Sequence, residues 1–271
     1  MLAAERRAKI VEELERRGAM RVMEFADLLG VSDMTIRRDL DLLARRGLVD
    51  KVHGGATRRS PSTDEPGFEA KSRRQREEKE AIARLAATLV APGMAVGLSA
   101  GTTTTALARE LRTIDRLTVL TNSVSVADVL QTQADPGANR TVLLTGGIRT
   151  PSDALVGPVA TAALAQLNLD IVFLGVHGMT EDAGFTTPNM LEAETDRALI
   201  AAGRRLVVLA DHTKWGTVGI STITDLGAAD IVITDSRMPD HVLAELEGHV
   251  GEVRVAPVGA VAPGRRPEQR P

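Results

Sequence analysis

The 271-residue sequence contains no cysteine, which removes disulfides, thiolate nucleophiles and Cys-based zinc sites together. Its five histidines, His53, His177, His212, His241 and His249, show no H-E-x-x-H or similar ligand spacing, so no structural metal is expected. No apolar run approaches the roughly 20 residues that a membrane span needs. Met1 to Lys9 is charged with no apolar stretch behind it, so no signal peptide is read there and the cytoplasm is the expected location. Neither a G-x-x-x-x-G-K phosphate loop nor a G-x-G-x-x-G dinucleotide fingerprint occurs, no cofactor is expected, and no segment repeats.

What is present describes an ordinary globular chain, with 43% hydrophobic and 25% charged residues and length for one large domain or two ordinary ones. The net charge of −3 hides an asymmetry. Residues 1–59 carry 13 Lys and Arg against 10 Asp and Glu, a balance of +3, which leaves −6 for the remainder. A basic end facing a polyanion and an acidic body facing none would account for it.

The segment Arg59-Ser60-Pro61-Ser62-Thr63-Asp64-Glu65-Pro66-Gly67 has no apolar period and reads as a linker, so the domains are expected at 1–59 and 69–257, with 60–68 between them. Residues 258–271 form a polar, Pro/Arg-rich tail expected to be disordered. Before the linker, three short helices fit. Ile10, Val11 and Leu14 mark one that stops at Gly18, and Val22, Phe25, Ala26, Leu28 and Leu29 mark a second that Gly30 ends. Ser32 caps a third, whose buried stripe is Ile36, Leu40 and Leu43. A strand-turn-strand follows from Leu48 to Gly55. After the linker, Glu69 to Val90 reads as one long helix. Beyond it, strands at 95–98, 117–120, 141–144, 171–175, 206–210, 231–234 and 253–256 alternate with helices at 103–111, 123–130, 158–167, 192–202 and 239–247. Wholly apolar strands alternating with helices imply a mostly parallel sheet covered on both faces, an α/β fold.

A short helix, a glycine turn and a second helix bearing outward Thr35, Arg37 and Arg38 form a helix-turn-helix, whose second helix enters the major groove. Thr35 suits a thymine methyl or a phosphate, Arg37 a guanine, and Arg38 or Lys51 the phosphates, although a solvated helix face would also expose such a charge run. Asp39 is expected to be an internal ion-pair partner, since a carboxylate facing phosphates is repelled.

In the second half, Ser99-Ala100-Gly101-Thr102-Thr103-Thr104-Thr105 joins a strand to a helix. Backbone N–H groups, the helix dipole and hydroxyls there make an anion cradle, or else a plain helix cap with spare threonines. Asn122, Gly146, Gly147, Arg149, the Gly175–Gly178 turn and Asp211 to Lys214 also sit just past strand ends, where open α/β sheets place ligands.

The run Val31-Ser32-Asp33-Met34-Thr35-Ile36-Arg37-Arg38-Asp39-Leu40, with Gly47-Leu48-Val49 and Val52-His53-Gly54-Gly55-Ala56, closely resembles the DNA-binding signature of the DeoR family of bacterial regulators. The resemblance implies a winged helix-turn-helix, with Ser32, Thr35, Arg37, Arg38, Lys51, His53 and Gly54 at the DNA. The second half resembles that family's sensor domain in Lys79, Ala100–Thr104, Leu120–Ser123, Thr145–Arg149, Val156–Pro158 and Ala210–Gly216. That domain is similar in fold to ribose-5-phosphate isomerase. By this likeness a phosphorylated sugar is the effector, touched by Lys79, Ser99, Gly101, Thr102, Thr103, Thr104, Asn122, Gly146, Gly147, Arg149 and Lys214. Many members have aspartate where this chain has Ser99.

The implied protein is a transcriptional regulator, a repressor of carbohydrate uptake or catabolism genes that is relieved by the sugar phosphate. Its partners are double-stranded operator DNA and a second copy or more of itself, as a dimer or tetramer, since one small reading head makes few contacts. Two other readings stand beside it. One is a sugar-phosphate isomerase or deaminase with a DNA-binding extension, using Asp196 as base, although Asp196 reads better as a helix-surface charge. The other is a DNA-binding protein whose α/β domain only dimerises.

Overall fold

The computed structural model describes residues 2–17, 19–45, 48–52, 54–58, 67–131 and 139–259. Gly18, Arg46, His53, most of the linker and nearly all of the tail lie outside them. The chain divides into two compact units, 1–61 and 62–271.

In the first unit, α1 (Ala3–Arg17), β1 (Ala19–Arg21), α2 (Val22–Leu29), α3 (Asp33–Arg45), β2 (Val49–Val52) and β3 (Gly55–Arg58) follow in order. Ile10, Leu14, Phe25, Ile36, Leu40 and Leu43 recur at helical spacing and meet in one core around the fully buried Phe25. Gly30 closes α2 in the left-handed conformation (φ 65°) and sends its N–H back to the Ala26 carbonyl. Ser32 Oγ accepts from Thr35 N and so starts α3. The expected strand-turn-strand is β2 paired with β3, and β1 adds a third antiparallel strand on the far side of β3. A side chain at Gly55 would lie 2.3 Å from the Met20 carbonyl oxygen, so this pairing requires glycine there.

The second unit opens with α4 (Phe68–Ser72) and α5 (Arg76–Ala87), where one long helix is expected. The break has a physical cause. Gln75 turns the chain through the left-handed region (φ 49°), and the buried Lys79 ammonium donates to the carbonyls of Lys71 and Arg74 at 2.7 Å each. One side chain thus reaches the carbonyls at the break, adding to the Arg74 N–H that the Lys71 carbonyl also accepts.

Then come β4 (Ala95–Leu98), α6 (Thr102–Leu111), β5 (Thr118–Thr121), α7 (Val124–Gln131), β6 (Thr141–Leu144), β7 (Ile148–Arg149), β8 (Leu155–Val156), α8 (Pro158–Leu164), β9 (Ile171–Gly175), β10 (Gly178–Thr180) and β11 (Gly184–Thr187). The unit ends with α9 (Met190–Ala202), β12 (Leu206–Leu209), β13 (Ser221–Thr224), β14 (Ile231–Asp235), α10 (Asp240–Glu247) and β15 (Val253–Ala256). All seven strands expected from their apolar runs pair in parallel, in the order β15-β14-β12-β9-β4-β5-β6. Two apolar layers cover the sheet. One gathers Ile82, Leu107 and Leu111 beneath α5 and α6, and the other Leu164, Leu199 and Leu246 beneath α8, α9 and α10. The edge strand β6 departs from full coverage, since Leu143 and Leu144 are more than two-fifths exposed.

From β4 the chain steps outward through β5 to β6, then returns to β9 and steps the other way. The strand order therefore reverses between β4 and β9. In open parallel sheets, the crevice outside the carboxyl ends at such a reversal is where ligands bind.

Candidate functional site

In the first unit, Arg37 and Arg38 are exposed on α3, opposite the buried Ile36, Leu40 and Leu43. Thr35 is half-buried, and its hydroxyl shares a 2.9 Å hydrogen bond with Ser32 Oγ, so this pair shapes the helix start as well as facing outward. Met34, which a charge-led reading passes over, is 61% exposed on the first turn of α3, where recognition helices meet base edges. Lys51 on β2 is ion-paired to Asp41 of α3, and this bond together with the charges of Arg45 and Arg37 lowers the Asp41 pKa. Gly54 is exposed at the turn between β2 and β3, whereas His53 lies outside the described residues. Asp39 is buried and takes Arg6 Nε at 2.5 Å and Arg7 Nη1 at 3.6 Å, the internal pairing expected of it.

In the second unit, the parallel strands bring the other residues to one edge. At the reversal point, Gly101 (φ 142°) leads into α6, and the first-turn N–H groups of Thr102, Thr103 and Thr104 have no intrahelical acceptor. Thr104 and Thr105 turn their hydroxyls back onto the Gly101 carbonyl at 2.9 and 2.7 Å, which fixes the turn. Ser99 is buried. Its Oγ accepts from Gly175 N at 2.9 Å and donates to the Ala100 carbonyl, so it ties β4 to β9. Asn122, also buried, accepts from Ala100 N at 2.8 Å and donates to the Leu155 carbonyl. Both residues brace the turn from beneath.

Cations stand on either side of it. Past β12, Lys214 is half-buried close to Asp211 and Lys79. Burial lowers the Lys79 pKa to about 8, aided by the charges of Lys214 and Arg74 and opposed by Asp211 and Glu78. Asp211 is buried. Its Oδ1 accepts from Thr213 N, while its Oδ2 has no hydrogen-bond partner. His212 donates its backbone N–H to the fully buried Asp235 at 2.7 Å and holds it through Nδ1 at 3.0 Å. That bond raises the His212 pKa against the effect of burial. On the other side, past β6, Gly146 (φ 74°) and Gly147 (φ 122°) precede Arg149. Arg149 Nε bonds Asp153 Oδ1 at 2.6 Å, and Asp153, itself at φ 69°, accepts from Ser125 N at 2.8 Å through its other oxygen. An open cleft of about 840 Å³ separates Arg149 and Ser125 from Phe68 and Arg73 of the α4 segment.

Sequence reasoning missed the long-range pairs, namely Asp153 with Ser125, His212 with Asp235, and Arg237 with Glu78. It also misplaced Asp196. Far from a surface charge, Asp196 is buried on α9 one turn after Glu192, and burial raises its pKa well above that of an ordinary carboxyl. The Asn189 cap and the hydroxyls of Thr150, Ser152 and Thr187 around Glu192 fix this helix start. Among the described residues, no group of three or more His, Cys, Asp or Glu side chains is arranged to hold a metal ion, and no helix is long and apolar enough to cross a membrane.

A helix-turn-helix with a three-stranded wing, followed by a doubly wound α/β unit with a glycine turn and a helix start at its reversal point, defines a DNA-binding regulator with a sensor domain. The chain belongs to the DeoR family: residues 6–62 match the DeoR-like helix-turn-helix domain and residues 74–236 the DeoR C-terminal sensor domain. It is 37% identical over 239 residues to the HTH-type transcriptional regulator GolR of Listeria innocua, covering 88% of this chain and 92% of that one. It is 35% identical to the HTH-type transcriptional regulator GlpR of Haloferax volcanii, covering 91% and 95%. It is 31% identical to the glycerol-3-phosphate regulon repressor of Escherichia coli, covering 92% and 97%. Among solved structures, ribose 5-phosphate isomerase A of Methanocaldococcus jannaschii overlays 51% of this chain and 54% of its own at 18% identity, with a TM-score of 0.37.

Proposed function

We propose that this chain represses genes of carbohydrate uptake or breakdown and that a phosphorylated sugar, bound at the strand-end crest, releases the operator. One combination carries the reading: outward Arg37 and Arg38 on the second helix of a helix-turn-helix, with the Gly101–Thr104 turn at the sheet's reversal point. The regulators it resembles along nearly their whole length include a glycerol-3-phosphate regulon repressor, which favours a phosphate ester as effector. The N–H groups of the turn and the ammonium groups of Lys79 and Lys214 take the phosphate; Arg149, Gly146 and Gly147 line the opposite flank. Ser99 and Asn122 act through the turn they hold.

The protein works as a regulator and not as an enzyme. Its relatives are transcription regulators, and Asp196, the one base considered for isomerisation, is buried on α9, where burial raises its pKa. Two or more copies act together, because one reading head covers a single half-site. The effector binds the released state more tightly, and DNA weakens effector binding by the same factor.

Fluorescence anisotropy with duplexes from the promoters flanking its own gene, with and without sugar phosphates, tests the whole reading. Arg37→Ala should lose about 1–3 kcal/mol of specific affinity, roughly 5- to 150-fold. Unchanged operator affinity in that variant would take Arg37 out of the interface.

Effector affinity should also depend on pH in a defined direction. Lys79 titrates near pH 8 in the unliganded protein, so it carries its charge below that value and loses it above. A phosphate ester approaches its dianion above about pH 6. Binding should be tightest around pH 7 and weaken by up to about tenfold per unit above pH 8. Calorimetry between pH 7 and 9 reads this directly, and a flat profile would remove Lys79 from the phosphate site.

A further inference from the structure

We propose that Lys79 couples occupancy of the strand-end site to α4, the first described helix of the second unit. The inference rests on reading that crest as an anion site. α4 has five residues, and none of its described side chains is buried, so its own length and packing hold it weakly. Two tethers to other segments add to that hold. At its start, Phe68 N donates to the Pro151 carbonyl at 3.3 Å, within the turn that runs from Arg149 to Asp153. At its end, Lys79 Nζ donates to the Lys71 and Arg74 carbonyls. The tethers therefore end at the two cationic flanks of the crest, with the 840 Å³ cleft between α4 and the Arg149 side.

An ammonium has three N–H groups, and two of them hold α4. A phosphate that engages Lys79 through more than one oxygen must take hydrogen bonds from those carbonyls. The buried Asp211 Oδ2, unpartnered and near enough to act on the Lys79 charge, offers the displaced ammonium a second acceptor. Occupancy thus loosens the helix that follows the linker from the DNA-binding unit.

Hydrogen exchange of the full chain, read by mass spectrometry with a panel of pentose and hexose monophosphates, tests this. A phosphate ester that gives heat in calorimetry should speed exchange over residues 67–75 at least fivefold and leave the β9 core unchanged. Lys79→Met should show fast exchange over 67–75 without ligand, no further response, and at least tenfold weaker binding. Lys79→Gln, which keeps N–H donors but no charge, should protect α4 better than Lys79→Met while losing the ligand response. Heat of binding with exchange over 67–75 unchanged or slower overturns the coupling alone. No heat with any phosphate ester overturns the anion site, and the coupling with it.

Discussion

Asp39→Ala is expected to cost the first unit about 3–5 kcal/mol and to abolish operator binding, although Asp39 is turned away from solvent. Its carboxylate holds Arg6 at 2.5 Å and Arg7 at 3.6 Å, and the Arg6 side chain is itself only 12% exposed. Truncating Asp39 leaves a nearly buried guanidinium without its counter-charge, which is the costly way to break an ion pair. A unit of about 60 residues rarely has more than 3–5 kcal/mol to lose, so α1 would come away from α3 and the recognition face would lose its frame. Far-UV circular dichroism during urea unfolding, beside anisotropy on the operator, follows both effects. The double replacement Arg6→Met with Asp39→Leu should restore most of the stability, because an apolar pair of similar volume needs no desolvation. If Asp39→Ala folded with wild-type stability yet lost DNA binding, Asp39 would have to meet DNA itself, and the internal pairing would not explain its place in the motif.

That assignment was legible from the sequence because repulsion between carboxylates and phosphates leaves Asp39 few outward roles. The seven parallel strands were legible for a related reason: strands of a largely covered sheet are mostly apolar, so they stand out as apolar runs. The short strands β1, β7, β8, β10, β11 and β13 were not. They have two to four residues, too few to show an alternation, and each forms only where a partner strand supplies the ladder, as Ser221 does for Thr187. The break between α4 and α5 was hidden in the same way, since residues 69–90 favour helix everywhere and the deciding contact is one side chain reaching back eight residues. In the candidate site, the Gly101 turn is local and readable. The bracing roles of Ser99 and Asn122 are not, because their hydrogen bonds cross 76 and 33 residues. Asp196 misled for want of topology: its charge suggests a surface, and only the packing of α9 against the sheet buries it.

The adjacent glycines 146 and 147 should respond very differently to alanine, and the difference separates a backbone requirement from a ligand contact. At Gly146 (φ 74°) an added Cβ meets nothing nearer than a Val159 methyl at 3.5 Å, so Gly146→Ala should cost only the left-handed backbone penalty of about 1–2 kcal/mol. At Gly147 (φ 122°) the Cβ would lie 2.5 Å from the Val156 carbonyl oxygen and 3.1 Å from its nitrogen. Backbone cannot rotate aside as a side chain can, so the pairing of Ile148 with Val156 and of Arg149 with Leu155 must shift. Backbone strain and overpacking together should cost about 2–5 kcal/mol. The displaced Arg149 would leave its bond to Asp153, so effector affinity should fall with stability in Gly147→Ala, while Gly146→Ala keeps it within a few-fold. Thermal unfolding and calorimetry on the two variants give the comparison. Equal stability with equal loss of affinity would mean that both glycines serve the ligand by close approach, and that the β7–β8 pairing does not set where Arg149 stands.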